Sequence, residues 1–260
     1  MRVVALAVAV AAAFLTWSGA APVRAQQAPQ AGTAAAALPP ARTIIDRHIE
    51  AIGGRKAVLA HTSTRATGSW NVAAQGMNGT FELLAAKPDK VVLRIVLGGI
   101  GELLDGFDGT HGWSMSPMTG PALAEGKELE QKRFDADFYG DLHDPARYDS
   151  IRTVERTTFA GRPCYKLSLV RKDGGEDIEF YDVATGLRAG GIGSRETQMG
   201  TITATEIRGD YKKFGNLLQP TSITQSAMGI EQVLTFSAFE YDTVAPGAFE
   251  PPPAIKALIK

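Results

Sequence analysis

Between residues 62 and 239 the chain alternates apolar and polar positions with a period of two, in short runs separated by turn residues. Phe81, Leu83 and Ala85 share one parity, Lys87-Pro88-Asp89 supplies a turn, and Val91, Leu93, Ile95 and Leu97 share the next. That pattern predicts a β-hairpin. A second is predicted where Tyr165, Leu167 and Leu169 alternate with Lys166, Ser168 and Val170, and Gly174-Gly175 turns the chain into Ile178-Glu179-Phe180-Tyr181. Residues 182–187 turn it again, and 201–207 and 233–239, rich in β-branched and aromatic residues, predict further strands. Connections this short suit only antiparallel neighbours.

Helical spacing is rarer. In residues 41–52, Ile44, Ile45, Ile49 and Ile52 fall on one face and Gly53-Gly54 supplies the stop, with a short helix expected at 56–60. His48, beside these isoleucines, is expected at the boundary between buried and exposed faces. A second helix is predicted at about 125–138, where Leu129 and Phe134 give only a thin apolar stripe. An extended antiparallel sheet must bury one face, and with so few helices it does so by curling around them. The expected fold is mainly β (α+β): a strongly curved antiparallel sheet or incomplete β-barrel, with helices covering the concave face around an apolar space. Trp70, Phe81, Leu83, Leu93, Ile95, Trp113, Leu167 and Phe236 are the side chains expected near that face, where together they could contact a ligand.

The start of the chain bears on compartment. A single Arg2, an apolar stretch over residues 3–15, and Val23 and Ala25 before Gln26 follow the order of a secretory signal peptide. The stretch is shorter than the ~20 residues a membrane span needs. Residues 1–25 are therefore read as a signal peptide, 26–40 as a flexible leader of Gln, Ala and Pro, and 41–260 as one domain. With no cysteine to lipidate after the cut, release as a soluble periplasmic protein is expected. Cys164, the only cysteine, allows no internal disulfide and reads as a small buried hydrophobe. The formal net charge of −1 with interspersed signs gives no basic footprint for nucleic acid.

Candidate chemistry is thin. Asp141-Leu142-His143-Asp144, with Asp135 and Asp137 upstream, could hold a divalent metal, but no second cluster supplies further ligands, so a solvated loop is expected. Asp108, His111 and Ser114 invite a hydrolase reading, yet no nucleophile elbow is present and Asp108-Gly109 reads first as a turn. Gly190-Gly191-Ile192-Gly193 opens no helix, so a bulge or wide turn is expected in place of a phosphate loop. No catalytic residue, metal or cofactor is assigned.

Four features taken in order resemble the LolA-like periplasmic lipoprotein carriers. They are the N-terminal amphipathic helix, Ala86-Lys87-Pro88 followed by Asp89-Lys90-Val91, Asp108-Gly109-Thr110-His111-Gly112-Trp113 leading to Ser116-Pro117, and Phe249-Glu250-Pro251-Pro252. The resemblance implies an incomplete β-barrel closed by helices, with a hydrophobic cavity that accepts acyl chains. Where carriers of that family place an Arg before the Pro of the second strand to hold the helical lid, this chain has Lys87, the implied lid contact. Lys lacks the planar five-donor fork of Arg, which shifts the expectation from lipoproteins alone towards lipids or other apolar ligands. The implied function is a non-enzymatic periplasmic carrier, a monomer that takes an apolar ligand or lipid-modified protein from a membrane-protein donor or passes it to an acceptor. An envelope protein-interaction or sensor module with the same fold is the alternative.

Overall fold

The computed structural model describes residues 37–197 and 200–259. The expected signal peptide, and the expected leader before residue 37, lie outside the described residues. One sheet of thirteen strands dominates. Its first six strands are β1 (Ser63–Val72), β2 (Met77–Ala86), β3 (Lys90–Leu97), β4 (Gly101–Phe107), β5 (Gly112–Ser116) and β6 (Gly120–Ala124). Seven more follow: β7 (Tyr148–Phe159), β8 (Arg162–Arg171), β9 (Glu176–Asp182), β10 (Arg188–Thr197), β11 (Gly200–Phe214), β12 (Leu217–Ala227) and β13 (Ile230–Tyr241). Both expected hairpins are present, as β2–β3 with Leu83 opposite Leu93 and as β8–β9 with Leu167 opposite Glu179.

Each group is a meander in which every strand pairs antiparallel with its predecessor. The two meet where β1 pairs antiparallel with β13, leaving β6 and β7 as the edges of an unclosed, curved sheet. The chain must therefore travel from one edge to the other between β6 and β7, and it does so across the concave face. Helix α3 (Gly126–Asp135) begins the crossing. Its Lys132 pairs with Asp105 of β4, and Asp135 pairs with Arg195 of β10 through Nε at 3.0 Å.

Helix α1 (Ala41–Ala51) lies over the β7–β9 end of the same face. Ile44, Ile45 and Ile49 pack with Leu142, Tyr148, Leu167, Leu169 and Tyr181. Each such burial contributes roughly 1.5–3 kcal/mol. The helix is also tied at its flanks, because Arg42 Nη1 donates to the carbonyls of Leu142 and His143, and the Arg47 guanidinium donates to those of Val183 and Ala184 at 2.8 and 2.7 Å. Gly53 and Gly54, at φ of 130° and 89°, end the run of helical backbone as expected. α2 (Arg55–Ala60) and α4 (Pro253–Lys256) are short. No helix among the described residues is long and apolar enough to cross a membrane.

The main apolar core lies on the inner face of β1–β4, β12 and β13. A smaller cluster of Cys164, Phe180 and Ala189 with Phe159, Ile178 and Ile192 lies on the outer face of β8–β10, where Phe159 and Phe180 stack at 3.9 Å. Burial raises the pKa of the Cys164 thiol, in keeping with a small hydrophobe. The glycine-rich stretch falls inside β10, whose register against β9 shifts between Arg188 and Gly190, so the expected bulge is present.

Candidate functional site

The inner face of the sheet is divided in two. Over β1, β2, β3 and β13 it is an apolar wall holding Trp70, Phe81, Leu83, Leu93, Ile95 and Phe236 in one cluster, each at most 4 % exposed. Register places them together: Leu83 stands between Ala66 and Leu93, and Phe81 between Gly68 and Ile95. Phe81 and Phe236 meet edge to face, 4.8 Å apart, on either side of Gly68. A Cβ on Gly68 would lie 2.0 Å from the Thr235 carbonyl oxygen and 2.7 Å from the Phe81 ring. Only glycine permits this approach.

Of the other two residues expected near the concave face, Leu167 is on it but outside the wall, and Trp113 is not on it. Leu167 is fully buried beneath α1 in the second cluster. Trp113 follows Gly112, whose Cβ position faces Lys132 and Leu129 of α3, so Trp113 turns to the opposite face of β5 and lies across Gly106 of β4. It is buried there without joining the wall. Lys87 is exposed at the β2–β3 turn, where its backbone N–H donates to the Thr62 carbonyl at 2.9 Å. Its side chain makes no hydrogen bond or ion pair among the described residues.

The roof over the wall is polar. Within α3 the buried residues are Gln131 and Asp135, with Leu129 only partly buried against the wall. The helix is held by the Lys132–Asp105 and Asp135–Arg195 pairs at its two sides and by half-buried Phe134, which packs against the second cluster beneath α1 and not against the wall.

The other half of the inner face, over β9–β12, is charged. Parity explains how: on β9 it is Asp177, Glu179 and Tyr181 that face inward, while Ile178 and Phe180 face the outer cluster. The inward residues of β10 are Gly191, Gly193 and Arg195, joined beyond the bulge by Arg188; on β11 they are Glu206 and Arg208, and on β12 Gln225. Apart from Tyr181, these residues line a cavity of about 40 Å³ that also meets Asp135 of α3. The carboxylates are well supplied with donors. Glu179 Oε2 accepts from the Tyr181 hydroxyl at 2.5 Å and lies 2.8 Å from His143 Nε2, and Glu206 accepts from Arg208 Nε at 2.5 Å. Asp177 lies between Arg171 and Arg195, at 3.2 and 2.9 Å. Burial pushes the Glu206 carboxyl up, but Arg208 and Arg188 outweigh it and hold its pKa below the ordinary value.

Two expectations from the sequence are corrected here. His48 is 2 % exposed and fully inside, its Nδ1 accepting from the Arg188 backbone N–H at 3.2 Å and its ring edge-on to Tyr181. Burial lowers its pKa to about 3. The 141–144 stretch is not a solvated loop: Asp141 and His143 are buried, and His143 Nδ1 donates to the Asp141 carbonyl while Nε2 faces Glu179. The turn that ends α3 tucks inward because α1 and β9 close over it. Asp108 does form a turn, accepting from the N–H groups of Thr110 and His111. Among the described residues no group of three His, Cys, Asp or Glu side chains is placed to hold a metal ion.

The charged half was missed because strict alternation identifies a strand without saying which parity faces inward. The available signal was the combination of Gly191 and Gly193 with Arg188 and Arg195 on one strand. A Cβ on Gly193 would lie 2.8 Å from Arg195 Nη1, and one on Gly191 would lie 3.2 Å from Arg188 Nη2, so the glycines let both arginines lie flat along the sheet.

The polar and apolar halves adjoin. Trp70 Nε1 donates to Gln232 Oε1 at 2.9 Å, Gln232 Nε2 donates to Gln225 Oε1 at 2.7 Å, and Gln225 lines the charged cavity.

An unclosed, curved antiparallel sheet with helices over its concave face is a LolA-like fold, and comparison with solved structures supports this. The chain is similar to a LolA superfamily protein from Nitrosomonas europaea, with a TM-score of 0.54, 13 % identity, and coverage of 82 % of this chain and 99 % of that one. It is likewise similar to a DUF1329 family protein from Desulfovibrio piger, with a TM-score of 0.53, 14 % identity, and coverage of 81 % and 97 %. No family model and no curated protein matches the chain.

Proposed function

We propose that this protein is a non-enzymatic periplasmic carrier or binding protein for a lipid, a lipoprotein acyl chain or another apolar ligand. The observation that carries this reading is the mismatch between wall and roof. Six large apolar side chains line the inner face, yet the helix laid across them buries only Gln131 and Asp135 of its own residues. An acyl chain that displaced α3 would replace a polar roof with an apolar one, at roughly 0.8 kcal/mol per buried CH₂. Displacing α3 would also break its buried Lys132–Asp105 and Asp135–Arg195 pairs, a cost of about 3–5 kcal/mol each that the burial of several CH₂ groups must offset. The ligand contacts in this reading are Trp70, Phe81, Leu83, Leu93, Ile95 and Phe236, with Leu167 and Trp113 supporting the sheet from the second cluster and the outer face.

Uptake of a fluorescent long-chain acyl probe by the purified protein tests this. Polar substitutions at Leu83 or Leu93 should weaken uptake. Substitutions at Glu82 or Arg94, which pair with Arg65 and Glu102 on the opposite face, should not. Equal uptake by all four folded variants would indicate nonspecific surface binding. The close packing of the wall favours a second reading, an envelope protein-interaction or sensor module, and complete absence of uptake would put that reading first.

A further inference from the structure

We propose that the charged cavity beside the apolar wall is a second subsite, which binds a neutral hydrogen-bond acceptor, the ester or amide carbonyl of an acylated ligand. The inference rests on the carrier reading and deepens it. Within the cavity the carboxylates already have their donors, so the unmet demand is for an acceptor. It comes from Arg188, whose side chain is 10 % exposed. Its Nε has no hydrogen-bond partner among the described residues, and its Nη1, although 3.2 Å from Glu179 Oε1, lies off the hydrogen-bonding direction. A buried guanidinium left in that state costs free energy that a ligand acceptor would recover.

The charge balance selects the kind of acceptor. Four carboxylates and three guanidiniums line the cavity, and a fourth guanidinium, Arg171, pairs with Asp177 from behind it, so no excess positive charge is left to hold a full anion, whereas a carbonyl brings lone pairs without charge. The size agrees. A cavity of about 40 Å³ holds roughly three water-sized groups, the dimensions of an ester or amide. Position agrees as well: the Trp70–Gln232–Gln225 hydrogen bonds run from the wall to the cavity, so one ligand could lay its chain on the wall and its carbonyl beneath Arg188.

The test compares 1-monopalmitoylglycerol with 1-O-hexadecylglycerol, which has the same chain and glycerol but no carbonyl, by calorimetric titration of the full protein. The ester should bind about tenfold tighter, the worth of one hydrogen bond to a charged group, and Arg188→Met should remove the difference. Equal binding of ester and ether to the wild-type protein would overturn the carbonyl subsite while leaving the carrier reading intact. Palmitate binding more tightly than the ester at neutral pH would also overturn it, as an anion site. Binding of neither glycerol lipid would mean that the carrier reading itself fails, and the subsite with it. If Arg188→Met does not fold, the infrared carbonyl stretch of ¹³C-labelled ester on the wild-type protein decides. A frequency below that of the same ester in hexadecane supports the subsite, and an unchanged frequency overturns it.

Discussion

Trp70 on β1 donates its indole N–H to Gln232 on β13 at 2.9 Å, the point where the apolar wall meets the polar half of the interior. The ring belongs to the wall, while the nitrogen belongs to a row of glutamines leading to the charged cavity. Buried tryptophan needs such a partner, and here that need fixes where the wall ends. Trp70→Phe should keep most of the apolar packing but remove this donor, destabilising the protein by about 1–3 kcal/mol. Chemical denaturation checks it. An unchanged midpoint would show that the glutamine row is satisfied without the indole.

Ile49 is 2 % exposed at the contact of α1 with the β7–β9 end of the sheet. Ile49→Asp would put a carboxylate among Ile45, Leu167 and Leu169 and should cost more than ~2 kcal/mol. A midpoint equal to that of the wild type would show that the helix does not depend on this face.

His48 gives stability a pH dependence of defined sign. Its folded pKa is about 3 against an ordinary value near 6.5, so between those limits the unfolded chain binds the proton and the folded one does not. This contribution is fully present above pH ~6.5 and is lost as pH falls towards about 3, with a slope approaching ~1.4 kcal/mol per pH unit. His48→Gln should flatten the wild-type stability profile across that window. Parallel profiles for the two proteins would show that the imidazole is not kept neutral by the fold.

Export is tested at the chain terminus. If residues 1–25 are a signal peptide, protein recovered by osmotic shock should begin at Gln26. Uncleaved chain in the membrane fraction would remove the periplasmic reading.

How much of this was legible depended on what period-two patterning can encode. The β2–β3 hairpin was readable because Phe81, Leu83, Leu93 and Ile95 bury one parity and Glu82 and Arg94 expose the other. On β9 the same logic left the inward parity open, and it is Ile178 and Phe180 that pack outside against Phe159 and Cys164 while Glu179 and Asp177 turn in. An inward carboxylate becomes tolerable only when Arg188, Arg195 and His143 arrive from positions that a strand pattern does not reveal. Trp113 was misplaced for a related reason: its bulk suggested the wall, but Gly106 on the next strand makes room for the ring on the other face. His48 looked peripheral because its burial depends on β10, far away in sequence.

The seam between β1 and β13 has a kinetic consequence. Within either meander each hairpin brings together neighbours along the chain, so residues 63–124 and 148–241 can assemble by short loop closures. Pairing Asn71 with Val233, or Thr64 with Tyr241, closes a loop that contains both meanders and the crossing between them. Among the strand pairings the entropy of long-range contact is therefore concentrated in β1 with β13, and their meeting is expected to be a late, slow step of folding, checked by whether destabilising changes at this seam speed unfolding without slowing refolding. That encounter also joins Trp70 to Gln232 and brings Phe236 to Phe81, so the wall and its polar border are completed in the same slow step.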